Sequence, residues 1–382
     1  MPAIIYLDNA ATSSPKPPEV IEAVRACLAD VNANPGRSGH RLAVRAAALI
    51  FECREELAAF FNVDDSARVI LLPNSTAALN LVIQGLLRDG GHAVTSSFEH
   101  NSVARPLEEL KHRGVADYTV VSTPDLAALT PALIDRAVRT DTRLIALNGT
   151  SNVTGHHAPL AAIAAYARDR KVPLLVDGSQ TAGTAPVDLA ALGIDYFAFT
   201  GHKRLMGPQG TGGLVVRDPD RLPVFLAGGT GSRSAALLQP EFAPDKFEAG
   251  TPNTPGIAGL AAGVRLVRAA GLDRTIAAAV RITDRCRAGL GAIPGVTLQT
   301  GPGGAPVVSF TVAGRTPDEV AYALDREHGI LCRPGIHCAP LAHQSLGTMP
   351  QGTVRFSFSP ATTPAEIDTA VAAVAAIAKA RP

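Results

Sequence analysis

At 382 residues the chain exceeds what one hydrophobic core usually serves, which argues for a large domain with a smaller companion. Hydrophobic residues make up 46% and charged residues 18%, a composition that excludes a disordered or fibrous chain. The 35 basic residues balance 34 acidic ones to a formal charge of +1, so no global field recruits nucleic acid or an anionic membrane, and any anion must be held locally.

The opening MPAIIYLDNAATSSPKPPEV meets Asp8 and two turn-rich clusters before an apolar stretch of signal-peptide length develops. No later run of about 18 apolar residues escapes a charge or a breaker, and a soluble, cytoplasmic protein is expected. PPEVIEAVRACLADV and the stretch Arg41 to Phe61 have helical spacing, with Pro17 and Pro18 suited to a helix start. From about residue 68 to 216, short aliphatic runs alternate with Ala/Leu-rich helical stretches. Strands are predicted at Val69 to Leu72, Ala93 to Ser97, Tyr118 to Val121, Leu144 to Leu147, Pro173 to Val176, Tyr196 to Thr200 and Gly213 to Val216. Helices are predicted between them at Ser75 to Leu87, Ser102 to His112, Pro131 to Val138 and Leu160 to Arg170. This alternation belongs to an α/β protein with a mainly parallel sheet flanked by helices.

The run EAGTPNTPG, Glu248 to Gly256, is dense in Gly and Pro. Beyond it come a long helical pattern, the strand-like VVSFTV, a helix near Asp318 to His328, RFSFS and a final Ala-rich helix. The expected organisation is a large domain over 13–254 and a smaller α+β domain built from 1–12 with 255–382. The five cysteines are odd in number and form no CxxC, so neither a disulfide framework nor a structural zinc site is suggested, and no metal is expected.

The richest stretch for chemistry is YFAFTGHKRLMGPQGTGGL, Tyr196 to Leu214. A strand ends at Thr200, Gly201, His202 and Lys203 follow, and a glycine-rich turn leads into another strand. A lysine at a strand end, flanked by glycines that permit close backbone approach, suits imine formation with an aldehyde cofactor. A lysine in a glycine-rich loop is more often a surface residue, so its company decides. Twenty-six residues earlier LLVDGSQTAG delivers Asp177 to another strand end. A carboxylate there suits the protonated ring nitrogen on which pyridoxal phosphate depends as an electron sink, although an Asp before Gly is more often a turn residue. LLPNSTAALNLVIQGL places Asn74, Ser75 and Thr76 between a strand and a helix, where amides and hydroxyls serve a phosphate or a plain N-cap equally well. SSFEHNSVARPL sets His100 after a strand, able to stack on a pyridine face, and NGTSNVTGH sets Asn152 as a neutral donor. GPQGTGG looks like a nucleotide phosphate loop, but it lacks a Gly-Lys-Ser/Thr ending and precedes a strand.

Nine segments occur in the order found in class V, fold type I, aminotransferase-like enzymes: YLDNAATSSPKP, NPGRSGH, the Ser75-Thr76 turn, EHNS, SNVTG, VDGSQ, TGHKRLMGPQG, GTPN and RPGIHCAPL. The ensemble, spanning about residues 6–360, resembles a cysteine desulfurase or selenocysteine lyase. The resemblance implies a fold type I transferase that uses pyridoxal 5'-phosphate, with a seven-stranded sheet in its large domain. It implies Lys203 as the lysine that carries the cofactor, Asp177 facing the ring nitrogen and His100 stacked on the ring. Asn152 and Gln180 would contact the ring oxygen region, and Ser75, Thr76, Ser179 and His202 would hold the phosphate. Thr251, in GTPN, resembles a residue reaching the phosphate of the partner subunit in a homodimer, and Arg355, in TVRFSFSP, matches the arginine that grips the substrate carboxylate. One departure is the phosphate turn, NST followed by Ala77 where many relatives have Gly-Thr-Thr and an acid. Phosphate binding is still expected there, because hydroxyls and helix amides remain.

In the resembling enzymes the cysteine of RPGIHCAPL, here Cys338, is the nucleophile that takes the substrate sulfur as a persulfide, with His337 beside it as a candidate to favour the thiolate. Cys27, Cys53, Cys286 and Cys332 keep a structural reading. The implied sequence is that L-cysteine displaces Lys203, Lys203 takes the Cα proton, Cys338 attacks Sγ, and the persulfide passes onward to an acceptor protein. L-Selenocysteine fits the same site, so a selenocysteine lyase stands as an alternative. C–S lyase, aminotransferase or epimerase chemistry on this scaffold, and a non-catalytic sulfur-carrier adaptor, are further alternatives.

Overall fold

The structure is a computed structural model that describes residues 4–36 and 38–380; Arg37 of NPGRSGH and the outermost residues of the expected domain ranges lie outside the described residues. A short strand, β1 (Ile5–Tyr6), precedes helices α1 (Pro18–Ala26) and α2 (Arg41–Phe61). Strand and helix then alternate: β2 (Val69–Leu72), α3 (Ser75–Leu87), β3 (His92–Ser96), α4 (Asn101–His112), β4 (Asp117–Val121), α5 (Pro131–Asp135), β5 (Thr142–Asn148), α6 (Leu160–Arg170), β6 (Leu174–Asp177), α7 (Leu189–Leu192), β7 (Tyr196–Thr200) and β8 (Gly212–Val216). The rest comprises α8 (Thr254–Ala270), α9 (Leu272–Gly291), β9 (Val296–Leu298), β10 (Val307–Val312), α10 (Pro317–His328), β11 (Ile330–Leu331), β12 (Arg333–Gly335), α11 (Pro340–Ser345), β13 (Thr353–Ser357) and α12 (Pro364–Lys379).

Seven strands form the large sheet in the order β2-β8-β7-β6-β5-β3-β4. The five from β7 to β4 run parallel, while β8 is antiparallel to both β7 and β2. Successive side chains of a strand face opposite sides, and both sides are apolar here, as a sheet covered on two faces requires. Ile145 and Leu147 of β5 join one buried cluster with Phe61, Phe197 and Val264, whereas Leu144 and Ala146 join another with Leu79 and Ile83 of α3.

A four-stranded antiparallel sheet, β12-β13-β10-β9, packs with α9, α10 and α12 around a third cluster. Leu7 belongs to that cluster, and β1 pairs in parallel with β11, so the first described strand docks beside elements more than 300 residues later. The helical pattern after residue 256 divides into α8 and α9 at Gly271, whose φ of +78° lies in the left-handed region that favours glycine. The helix expected over Pro131 to Val138 stops at Asp135, because the chain must turn into β5 and the amide of Arg139 donates to the Thr142 hydroxyl. Among the described residues no helix is long and apolar enough to cross a membrane.

Candidate active site

Open α/β sheets bind ligands in the crevice beyond the carboxyl ends of their parallel strands. A cavity of about 240 Å³ lies there, where Asn148, Asp177 and Thr200 end β5, β6 and β7. Ser75, Thr76, His100, Asn152, Ser179, Gln180, His202, Lys203 and Arg355 also line it, so every predicted site residue except Cys338 and Thr251 meets at one place.

Asp177 is buried, and its Oδ1 accepts from the Ser179 amide at 2.9 Å and the Ser179 hydroxyl at 2.5 Å. The tight turn behind it needs Gly178, where a Cβ would lie 2.1 Å from Cζ of Phe197. Burial pushes the Lys203 amine down to about 8, Asp177 opposing that shift while Arg355, Arg333 and Arg204 add to it. An amine poised there is available in its neutral form for imine formation and for proton transfer. The carbonyl of His202, one residue earlier, is a hub: it accepts from the Ser13 amide at 3.0 Å and from Lys16 Nζ at 2.9 Å, tying the N-terminal segment beneath the lysine. Burial, with Lys203 and Lys16 adding, lowers His202 to about 4, and burial lowers His100 to about 4 against the pull of Asp177, so both rings are neutral near pH 7.

The amino end of α3 opens on the same cavity. Asn74 is the N-cap, its Oδ1 accepting from the Ala77 amide at 2.9 Å. The Ser75 hydroxyl lies 2.8 Å from Ser179 Oγ, and Thr76 Oγ1 lies 2.8 Å from Ser102 Oγ. These hydroxyls, with helix amides that lack an intrahelical acceptor, form an anion cradle. His100 caps α4 in the same way, its Nδ1 accepting from the Ser102 amide at 3.1 Å.

The two amides spend their N–H groups on main-chain carbonyls, Gln180 on Ala10 at 2.8 Å and Asn152 on His337 at 2.7 Å. Arg355 is fully buried; its Nη1 donates to the Asn152 carbonyl at 3.1 Å and its Nη2 to Asp8 Oδ1 at 2.8 Å. Five lining residues keep a buried polar atom without a partner: Asn152 Oδ1, Gln180 Oε1, Thr200 Oγ1, His202 Nδ1 and Arg355 Nε. Native interiors leave few such atoms, and their concentration around one cavity fits a polar guest that offers both donors and acceptors.

Cys338 stands outside the lining, but its main chain meets the site: its carbonyl accepts from the Asn101 amide, next to His100, at 2.7 Å. Its Sγ accepts from Nη2 of Arg333 at 3.1 Å, and Arg333 does line the cavity. His337 does not serve the thiol; its ring is buried, with Nε2 2.9 Å from Thr353 Oγ1 and its centroid 5.4 Å from that of His343. Both His337 and Cys338 adopt positive φ, +49° and +57°, which turns consecutive side chains apart. The other thiols are inert by burial, which pushes Cys53 and Cys332 up to about 12 and raises Cys27 and Cys286 as well.

Thr251 is exposed and lines a separate cleft with Leu71, Thr230 and Gly250. Three residues that the sequence reading left without roles stand in or beside the site: Asp8, Arg333 and Glu99. Each belongs to a segment already singled out, YLDNAAT, RPGIHC or EHNS, and the available signal was an unassigned charge inside a motif. Glu99 is wholly buried, its Oε1 accepting from Ser96 Oγ at 2.5 Å and the Asn148 amide at 3.0 Å.

A family model described as aminotransferase class-V matches residues 5–370. A probable cysteine desulfurase of Methanothermobacter thermautotrophicus is 35% identical, the match covering 92% of this chain and 89% of that protein. The apo structure of a cysteine desulfurase from Thermococcus onnurineus NA1 superposes with a TM-score of 0.92 at 32% identity, covering 98% of this chain and 95% of that one. The Escherichia coli cysteine desulfurase CsdA, in an S-sulfonic acid form, superposes with a TM-score of 0.87 at 29% identity, covering 97% and 93%. With its lysine, aspartate and helix-end cradle gathered at the carboxyl ends of a fold type I sheet, the chain belongs to the aminotransferase class-V family.

Proposed function

We propose that this protein is a pyridoxal phosphate-dependent cysteine desulfurase that moves the sulfur of L-cysteine onto Cys338 and releases L-alanine. The observation that carries this reading is the Cys338 thiol held by Arg333, a residue of the same cavity wall as Lys203. The guest that the unpartnered wall fits is the cofactor: Ser75, Thr76, Ser179 and His202 would hold its phosphate, Asp177 its ring nitrogen, and His100 its ring face. When bound, it supplies the electron sink for charge developing at the substrate Cα.

Arg355 orients the substrate through its α-carboxylate, which fixes the Cα–H bond for Lys203. Lys203, with its amine near neutrality, takes that proton and returns a proton to carbon. Cys338 Sγ forms the new S–S bond as the C–S bond of the substrate breaks, so thiol plus cysteine becomes persulfide plus alanine. Arg333 holds the attacking sulfur as a hydrogen-bond acceptor and so fixes its position beside the cavity. The persulfide then passes to an acceptor protein, and a thiol kept free for this work suits the reducing cytoplasm. A homodimer completes the reading: Leu237 is 104% and Leu238 85% exposed on the segment that leads to the cleft of Thr251, and apolar surface of that kind marks an interface.

Purified protein given the cofactor, L-cysteine and a reductant should yield alanine and sulfide, with L-selenocysteine offered in parallel. Cys338→Ala should lower L-cysteine turnover by roughly 100-fold or more, and Lys203→Ala should lose the visible band that borohydride bleaches. Undiminished turnover in Cys338→Ala sinks the persulfide step. Pyruvate with ammonia in place of alanine would assign β-elimination instead.

A further inference from the structure

Arg355, the expected grip for the substrate carboxylate, already holds a carboxylate. Its Nη2 donates to Asp8 Oδ1 at 2.8 Å, its Nη1 is taken by the Asn152 carbonyl, and its side chain is 1% exposed against 21% for Asp8. A buried guanidinium without a counter-charge is strongly unfavourable, which accounts for Asp8 at this position. Arg355 Nε has no partner, so an incoming carboxylate that takes Nε and Nη2 together competes with Asp8 for Nη2, and Asp8 is the more accessible member of the pair. Apart from the bond to Arg355, the described contacts of Asp8 are made by its main chain: an isolated bridge to Ser357, and a carbonyl that accepts from the Tyr6 hydroxyl at 3.2 Å and from the amides of Ala11 at 3.1 Å and Thr12 at 3.4 Å. No hydrogen bond other than that from Arg355 is made to its carboxylate among the described residues.

We propose that Asp8 is a resident carboxylate that the substrate α-carboxylate displaces from Arg355, so that binding exchanges one ion pair for another and Asp8 sets how loosely substrate and product are held. The inference rests on the desulfurase reading above. The guanidinium keeps one carboxylate before and after the exchange, so its burial is never uncompensated. The net gain from the substrate carboxylate is reduced by the pair that it breaks, and product leaves as Asp8 returns. Asp8 is thus a positioning residue, acting through Arg355.

The test titrates cofactor-loaded enzyme with L-alanine and with ethylamine, which differ by the carboxylate, following heat of binding and the cofactor absorbance. Asp8→Asn keeps the shape and removes the charge, and it should tighten L-alanine by about tenfold, the scale of one charged hydrogen bond, with ethylamine unchanged. KM for L-cysteine should fall with it, while Asp8→Glu, which keeps the charge, should stay within about twofold of wild type for L-alanine. Because Asp8→Asn leaves Arg355 without its anion, acetate at constant ionic strength should raise its melting temperature and leave that of wild type unmoved. Unchanged or weaker L-alanine binding in Asp8→Asn, an equal effect on ethylamine, or no acetate response overturns the exchange and leaves the desulfurase reading standing. A wild-type enzyme that takes up the cofactor but binds neither L-alanine nor L-cysteine overturns both.

Discussion

Burial drives Glu99 up to about 8, the nearby Asp177 adding to the effect while hydrogen bonds from Ser96 and Asn148 oppose it. At pH 7 the side chain is therefore the neutral acid in the folded protein and the carboxylate once unfolded. An acid whose folded pKa is raised stabilises fully below its unfolded value, near 4.5, and loses that contribution as pH rises through its folded value. Glu99→Gln, which mimics the neutral acid, should flatten the fall of melting temperature between about pH 4.5 and 8. A slope identical to wild type in thermal unfolding across that range would show that Glu99 carries no such proton. Lys203 and Asp177 were legible in the sequence because each stands at or just past the end of an apolar strand with a glycine close by, Gly178 after Asp177 and Gly201 two residues before Lys203, a local signature. Glu99, Asp8 and Arg333 were not, since their roles arise from contacts across 49, 347 and 5 residues that no periodicity encodes.

The strap from β12 to α11 carries Cys338 on two successive left-handed residues, a conformation costing roughly 1–2 kcal/mol for each non-glycine residue. Contacts that hold it include Asn152 on the His337 carbonyl, the Asn101 amide on the Cys338 carbonyl, and the His337 ring beside Thr353 of β13. His337 Nδ1 already lacks a partner, so Thr353→Val would leave the buried ring with none. That variant should lose about 1–3 kcal/mol of stability, and iodoacetamide should label Cys338 faster as the strap loosens. Stability and labelling rate both equal to wild type would show that His337 is no anchor. The strands and helices around the cavity were readable from periodicity to within a residue or two, as at Ser75–Leu87 and Tyr196–Thr200. The strap was readable only as Gly/Pro-rich loop, because side-chain direction there depends on φ signs set by tertiary contacts.

At the scale of the molecule, a monomer would leave the Leu237 and Leu238 side chains in water on a cleft that shares Thr230 with the one that Thr251 lines. Replacing both by Asp should convert a dimer to monomer in sedimentation and lower cofactor retention, if Thr251 serves the neighbouring subunit. A variant that sediments like wild type would place the interface elsewhere. The parallel alternation of the large sheet was plain in the sequence, whereas the pairing of β1 with β11 was not, since two-residue strands carry no pattern of their own. That pairing has a consequence for biosynthesis. With β1 waiting for β11, and Asp8 for Arg355, the YLDNAAT segment reaches its partners only after more than 300 further residues have been made. Until then the lysine hub can form but the carboxylate grip cannot, so a chain arrested before residue 330 could capture the cofactor without being able to turn over an amino acid.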